Sequence, residues 1–343
     1  MALADCLSTI FYENEIPPEV ERGLETIYQS PFCVTKHFEM FRGVRNLNAL
    51  VITCGESDLR HVIAYVISGR EITVLNELVE IGQEYIQHFA DAVFNRYPMV
   101  STLNFNCIKS RIVDFNYPWR RWKSSQDIAI ELPRSFETYH AQLGRQTQKH
   151  IKYYINRLQR EYGDFSFRVA ATRETDPTVI GRIIEMNRLR MKDKNIRSGY
   201  NGNFENRLVE FCSYYGLVST VHIGGKVVAG AICYEVGNQA YLEAISHDTD
   251  YNRYNIGQVC LYLTVKHLIE KGRDTFHLLW GENEYKYRFL GVKQELYFIS
   301  IYRSYLSKLL SLPKLAKHTC SYLLRQMEYL TKKYIINRYR QRR

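Results

Sequence analysis

Glu243, His247 and Asp248, together with the adjacent pair Tyr285 and Lys286, have the types and spacing to move a proton or hold an anion. Glu243 stands between Leu242 and Ala244 in the strand-like run QAYLEAIS. If its carboxyl group faces a cleft it loses hydration, and its pKa rises toward the range of a working base. If it faces a cation, it is half of a structural ion pair. His247 and Asp248 end the same run and read either as a base or as turn formers. The next stretch, RYNIGQ from Arg253 to Gln258, is a polar turn opening onto a helix. Helix N-termini leave backbone N–H groups unpaired, so the N–H groups of Asn255, Ile256, Gly257 and Gln258 are candidates to hold phosphate oxygens. Gly257 permits close backbone approach there.

Three segments must position these residues. Residues 217–246 read as three antiparallel strands, VSTVHI, KVVAGAICYEV and QAYLEAIS, divided by the turn pairs Gly224-Gly225 and Gly237-Asn238. An apolar-periodic helix over 258–271, carrying Val259, Tyr262, Leu263, Val265, Leu268 and Ile269, is closed by Gly272. A short strand over 276–280 and a polar segment over 281–286 follow.

Three antiparallel strands, a phosphate-type turn, a helix and a further strand resemble the core of the acyl-CoA-dependent N-acyltransferase (GNAT) superfamily. The strand ending in Gly281 and followed by Tyr285-Lys286 resembles its cellulose-biosynthesis-associated branch, related to the Fem-type peptidyltransferases. The resemblance covers residues 128–303. It implies acetyl-CoA or another acyl-CoA as co-substrate, with the pantetheine arm along strand 239–246. The pyrophosphate is then expected on the N–H groups of 255–258, with Arg253 as counter-charge. It further implies Glu243 or His247 as base, Tyr285 protonating the departing thiolate, and Lys286 binding an anionic group of the acceptor. The bland reading of Tyr285 and Lys286 is packing with a solvated ammonium. Such chemistry needs positioning, proton removal and oxyanion stabilisation, and no metal. The expected reaction is acyl transfer to an amine of an amino sugar or amino-acid-linked intermediate, in the setting of surface polysaccharide synthesis. A Fem-like enzyme using charged tRNA and a catalytically silent scaffold remain as alternatives.

The expected fold class is mixed α/β: tandem GNAT-like halves, each a mostly antiparallel twisted sheet flanked by helices, and a C-terminal helical tail. The expected boundaries are 1–124, 125–303 and 304–343. In the first half, strands at 47–54, 61–67 and 70–75, a helix at 80–95 and a strand at 101–108 repeat the order of 217–280. Glu77 and Glu80 stand where an anion would sit and would repel it. This half is therefore expected to bind no CoA, and either to help form the acceptor cleft or to be an unrelated packing domain. YPWRRWK at 117–123 reads as a linker that docks two domains or grips sugars or bases. A strand at 128–132 and a helix from Ser135 come next. The helix at 146–162 carries Arg145, Lys149, Lys152, Arg157 and Arg160, either as a solvated face or beside an anionic acceptor. After a strand at 165–171 and a helix at 177–191, KDKNIRSGYNGN at 192–203 reads as a loop, either a lid or ordinary surface.

The net charge of +10 looks like a nucleic-acid signature until it is localised. Between Ser304 and Arg343 stand ten Lys or Arg and a single acid, Glu328, so nine of the ten net charges lie in the tail. Leu323, Met327, Leu330 and Tyr334 lie on one helical face among these charges. Residues 314–343 are thus expected either to lie on an anionic membrane surface or to dock on the second domain, with tRNA a less favoured partner. No run of 18 apolar residues and no basic leader is present, and the eight cysteines are at least 21 positions apart. These features favour a reducing cytoplasm, with peripheral membrane association through the tail.

Overall fold

The computed structural model describes residues 7–55, 58–112, 114–193, 195 and 198–312. The chain passes twice through one order of elements. The first pass comprises β1 (Leu7–Tyr12), α1 (Pro18–Tyr28), α2 (Thr35–Arg42), β2 (Asn48–Cys54), β3 (Asp58–Ser68), β4 (Glu71–Val74), α3 (Gln83–Arg96) and β5 (Thr102–Ile108). Then come β6 (Trp119–Glu131), α4 (Phe136–Gln142) and α5 (Arg145–Glu161). The second pass comprises β7 (Ser166–Ala171), α6 (Pro177–Asp193), α7 (Gly202–Tyr215), β8 (Gly216–Ile223), β9 (Lys226–Val236), β10 (Gln239–His247), α8 (Ile256–Glu270) and β11 (Thr275–His277). α9 (Glu284–Arg288), β12 (Val292–Tyr302) and α10 (Tyr305–Leu310) follow. In each pass three antiparallel pairings lead to one parallel pair, β4 with β5 and β10 with β11, bridged by α3 and α8 respectively.

The two halves share one twelve-stranded sheet, ordered β1-β2-β3-β4-β5-β12-β6-β11-β10-β9-β8-β7. Its middle is the antiparallel pair β6–β12, which runs from Ala129 opposite Val292 to Trp119 opposite Ile301. This corrects the expectation of a linker at 117–123, because residues 119–123 are the first half of β6. Cross-strand contacts hold them in the sheet: Trp122 stacks on Phe298 at 4.4 Å, and the Arg121 guanidinium lies 4.6 Å from the Tyr297 ring centre. The expected boundary at 124/125 therefore falls inside a strand.

One apolar core fills the first half. In the second half the sheet separates two cores, one under α4, α5 and α8, the other under α6 and α7, and Phe32, Val34 and Leu78 of the first half join the latter. α8 buries most of its circumference and leaves one face, with Lys266 and Glu270, exposed. α7 has no counterpart in the sequence reading. Asn201 caps it by accepting from the Phe204 N–H, and Leu208, Phe211 and Cys212 anchor it in the core. The turn after β4 is occupied by protein groups. Asn76 bonds across to the backbone of Ala64 and Val62, and the buried Glu77 pairs with Arg42 of α2. Of the expected tail, the described residues include α10; the stripe at 323–334 lies outside them.

Candidate active site

β10 is interrupted once. Leu242 pairs with Cys233 and Ala244 with Ile232, so Glu243 is an extra residue that β9 does not match, a β-bulge. The bulge turns Glu243 toward the α6–α7 layer. There the Tyr200 hydroxyl lies 3.4 Å from its Oε1 and 3.0 Å from its main-chain oxygen, donating to both acceptors in turn. Protein packs densely around the carboxyl group, although the side chain keeps some solvent contact. Burial pushes its pKa up to about 7, and the hydrogen bond from Tyr200 opposes that rise.

Past the bulge, Ile245 and His247 face the α8 layer. His247 Nε2 donates to Asn252 Oδ1 at 2.8 Å, and its ring lies against the first turn of α8. A Cβ on Gly257 would come within 2.7 Å of His247 Nδ1, so glycine is required there by the histidine itself. Asn255 adopts a left-handed φ of 46° and its side chain does not cap α8. Its carbonyl accepts from Gln258 and Val259, whereas the N–H groups of Ile256 and Gly257 have no acceptor among the described residues. Ile256 is buried, so the backbone is the part of it that a ligand can meet.

These groups line a cleft of about 240 Å³, with Ile245, His247, Asn255, Gly257 and Gln258 on one side and Arg190 and Tyr285 completing it. The Tyr285 hydroxyl is held above its ordinary pKa by burial, and the charge of Arg190 partly offsets this. The cleft can hold a narrow ligand against unpaired N–H groups, with a neutral phenol and a titrating carboxyl group on neighbouring strands and helices.

Two expected site residues take other positions. Lys286 is buried and donates to the carbonyls of Leu278 (2.7 Å), Leu279 (3.0 Å) and Trp280 (2.6 Å). All three ammonium protons are thereby engaged, and burial pushes its pKa down to about 8. Neither a solvated ammonium nor an acceptor-binding cation fits this geometry: Lys286 clamps the chain leaving β11, including Leu279 at a φ of 55°. Arg253 is exposed, lies 4.8 Å from the Tyr254 ring centre and 3.9 Å from Glu161, and points to α5. Asp248 is a turn former, accepting from the Asp250 N–H at 3.2 Å and from Arg182 at 3.0 Å.

The cation that does line the cleft, Arg190, was passed over in the sequence, as was Tyr200. Arg190 follows the buried Ile180, Ile183 and Asn187 at helical spacing, and a charge ending an apolar stripe was the available signal. Tyr200 lay in a stretch read as a polar loop.

Residues 145–287 match the model of an acetyltransferase (GNAT) domain. No curated protein matches the sequence. Among solved structures the chain is similar to FemX, with a TM-score of 0.62 at 9% identity over 89% of this chain and 99% of that one. It is also similar to a conserved protein of unknown function from Bacteroides thetaiotaomicron, with a TM-score of 0.56 at 11% identity over 86% and 100%. A third is L-PGS from Bacillus licheniformis, with a TM-score of 0.53 at 13% identity over 89% and 98%. At these identities the likeness is one of fold. The matched domain makes the chain an acyltransferase, built on a mixed α/β fold of two similar halves.

Proposed function

We propose that the chain is an acyl-CoA-dependent N-acyltransferase whose general base is Glu243. The observation that carries this reading is the bulge, which gives β10 a carboxyl group with a pKa near 7 two residues before Ile245, where the strand begins to line the cleft. A thioester is already activated, so the protein must hold it, take a proton from the amine and stabilise the oxyanion. In this reading the pantetheine lies along β10 and the phosphates meet the open N–H groups of Ile256 and Gly257. Glu243 accepts the amine proton, directly or through one water, and Tyr285 protonates the departing sulfur. The acceptor is an amine of an amino-sugar or amino-acid-linked intermediate. The first half binds no CoA, because Asn76 and the Glu77–Arg42 pair occupy its equivalent turn.

Charged tRNA as donor is the second reading, favoured by the basic residues Arg145, Lys149, Lys152 and Arg160 of α5. Thermal unfolding separates the two: acetyl-CoA should raise the midpoint in a saturable way and charged tRNA should not. Protection by charged tRNA alone would replace the first reading with the second. Protection by neither would point to an acyl donor other than these two. Peripheral contact with an anionic membrane through 314–343 remains part of the proposal. It is supported by the exposed Tyr305, Leu306, Leu309 and Leu310 of α10, which leads into that segment.

A further inference from the structure

Arg190 presents an imbalance that the described residues do not correct. It stands at the C-terminal end of α6 with its guanidinium largely buried. A cation in that setting is ordinarily paired with a carboxylate. Here no carboxylate among the described residues lies within ion-pair distance of it, and its described bond is a donation from Nη2 to the Ile245 carbonyl at 3.2 Å. Nε is shut off from water with no acceptor among the described residues. The groups that feel its charge are two phenols, Tyr285 and Tyr200. Tyr200 is also the hydrogen-bond partner of Glu243, so a single phenol links the field of the unbalanced cation to the carboxyl group.

We infer that Arg190 is a specificity residue that pairs with an oxyanion, carboxylate or phosphate, carried by the acceptor amine. The inference rests on the acyltransferase reading above and adds the acceptor's charge to it. A guanidinium offers a planar array of donors matched to either oxyanion. With the acceptor bound, the missing counter-charge arrives and the amine is fixed relative to Glu243. Arg190 lines the same cleft as the α8 turn, so the donor's phosphates are the competing partner for it, and the CoA arm of the test below separates the two. A site built to pair with a charged group discriminates strongly against an analogue lacking it.

The test uses matched amines with acetyl-CoA: glycine against glycinamide, and glucosamine 6-phosphate against glucosamine. In one pair or the other, the wild-type chain should favour the charged member in kcat/KM by about 100-fold, and the responding pair identifies carboxylate or phosphate. Arg190→Gln should erase that preference by lowering kcat/KM for the charged member about 100-fold more than for the neutral one, with CoA affinity by calorimetry unchanged. The proposal is overturned if the wild-type enzyme shows no preference, if Arg190→Gln slows both members equally, or if it weakens CoA binding. Should none of these four amines be acetylated, the reading of acetyl transfer to such acceptors has failed separately. Calorimetry with inorganic phosphate and with acetate then decides the site: binding lost in Arg190→Gln upholds it, and equal or absent binding in both proteins overturns it.

Discussion

Glu243 carries opposed demands that a pH series can separate. Its proton is held more tightly in the folded protein, with a pKa near 7, than in the unfolded chain, near 4.5. Stability contributed by the protonated form is therefore present at low pH, falls as pH rises from about 4.5 to about 7, and is flat above that. The loss is on the order of 1–3 kcal/mol. Catalysis runs the other way, because the base must be ionised, so kcat/KM should rise through about pH 7 to a plateau. Glu243→Gln should lower kcat by about 100-fold or more and abolish that rise. At pH 8 it should unfold at a higher temperature than wild type, and at pH 4 at nearly the same one. Tyr285→Phe should lower kcat without changing CoA affinity. If both variants retain full activity, the base is His247 or a water chain.

Among elements, the segment joining β11 to α9 depends on Lys286, which holds three consecutive carbonyls. Lys286→Met keeps most of the volume but leaves those carbonyls buried without their donor. It should destabilise the fold by about 2–4 kcal/mol, measured by denaturant unfolding. A stable variant that had lost acceptor affinity would restore the sequence-based role. That role was a natural error, since a Tyr-Lys pair after a glycine shows residue types but not where a four-carbon stem leads. Legibility followed the strength of local signals. β8, β9 and β10 were readable because Gly224-Gly225 and Gly237-Asn238 mark their turns and their apolar residues have strand character. α7 was missed although Phe204, Leu208, Phe211, Cys212 and Tyr215 recur at helical spacing, because charged residues interleave with that stripe and a polar stretch read as a loop runs directly into it. Glu243 was singled out by type, whereas the bulge that aims it is a property of pairing with β9 and leaves no trace in composition.

For the whole molecule, the decisive feature is that neither half owns the middle of the sheet. β12 pairs with β5 of the first pass on one side and with β6 on the other, and β6 continues to β11. A fragment of residues 125–312 would lack the first part of β6 and would expose the edge of β12 along Tyr297, Ile299 and Ile301. Such an edge invites aggregation. The fragment should be insoluble or molten, and the intact chain should unfold in one calorimetric transition, with equal calorimetric and van't Hoff enthalpies. Two separate transitions, or a well-folded fragment, would show the halves to be independent.

The unmatched residue in β10 has a further consequence, one of arithmetic. Before it, even-numbered side chains such as Ala240 and Leu242 face the α8 layer; after it, odd-numbered ones such as Ile245 and His247 do. Remove Glu243 altogether and Leu242 joins directly to Ala244, giving a strand of unbroken parity in which every remaining side chain keeps its layer and its partner on β9. The carboxylate is thus supernumerary to the architecture. A chain with that single codon deleted should fold at least as well and bind CoA as before, yet transfer nothing. Catalysis would then be separable from the scaffold by subtraction of one residue.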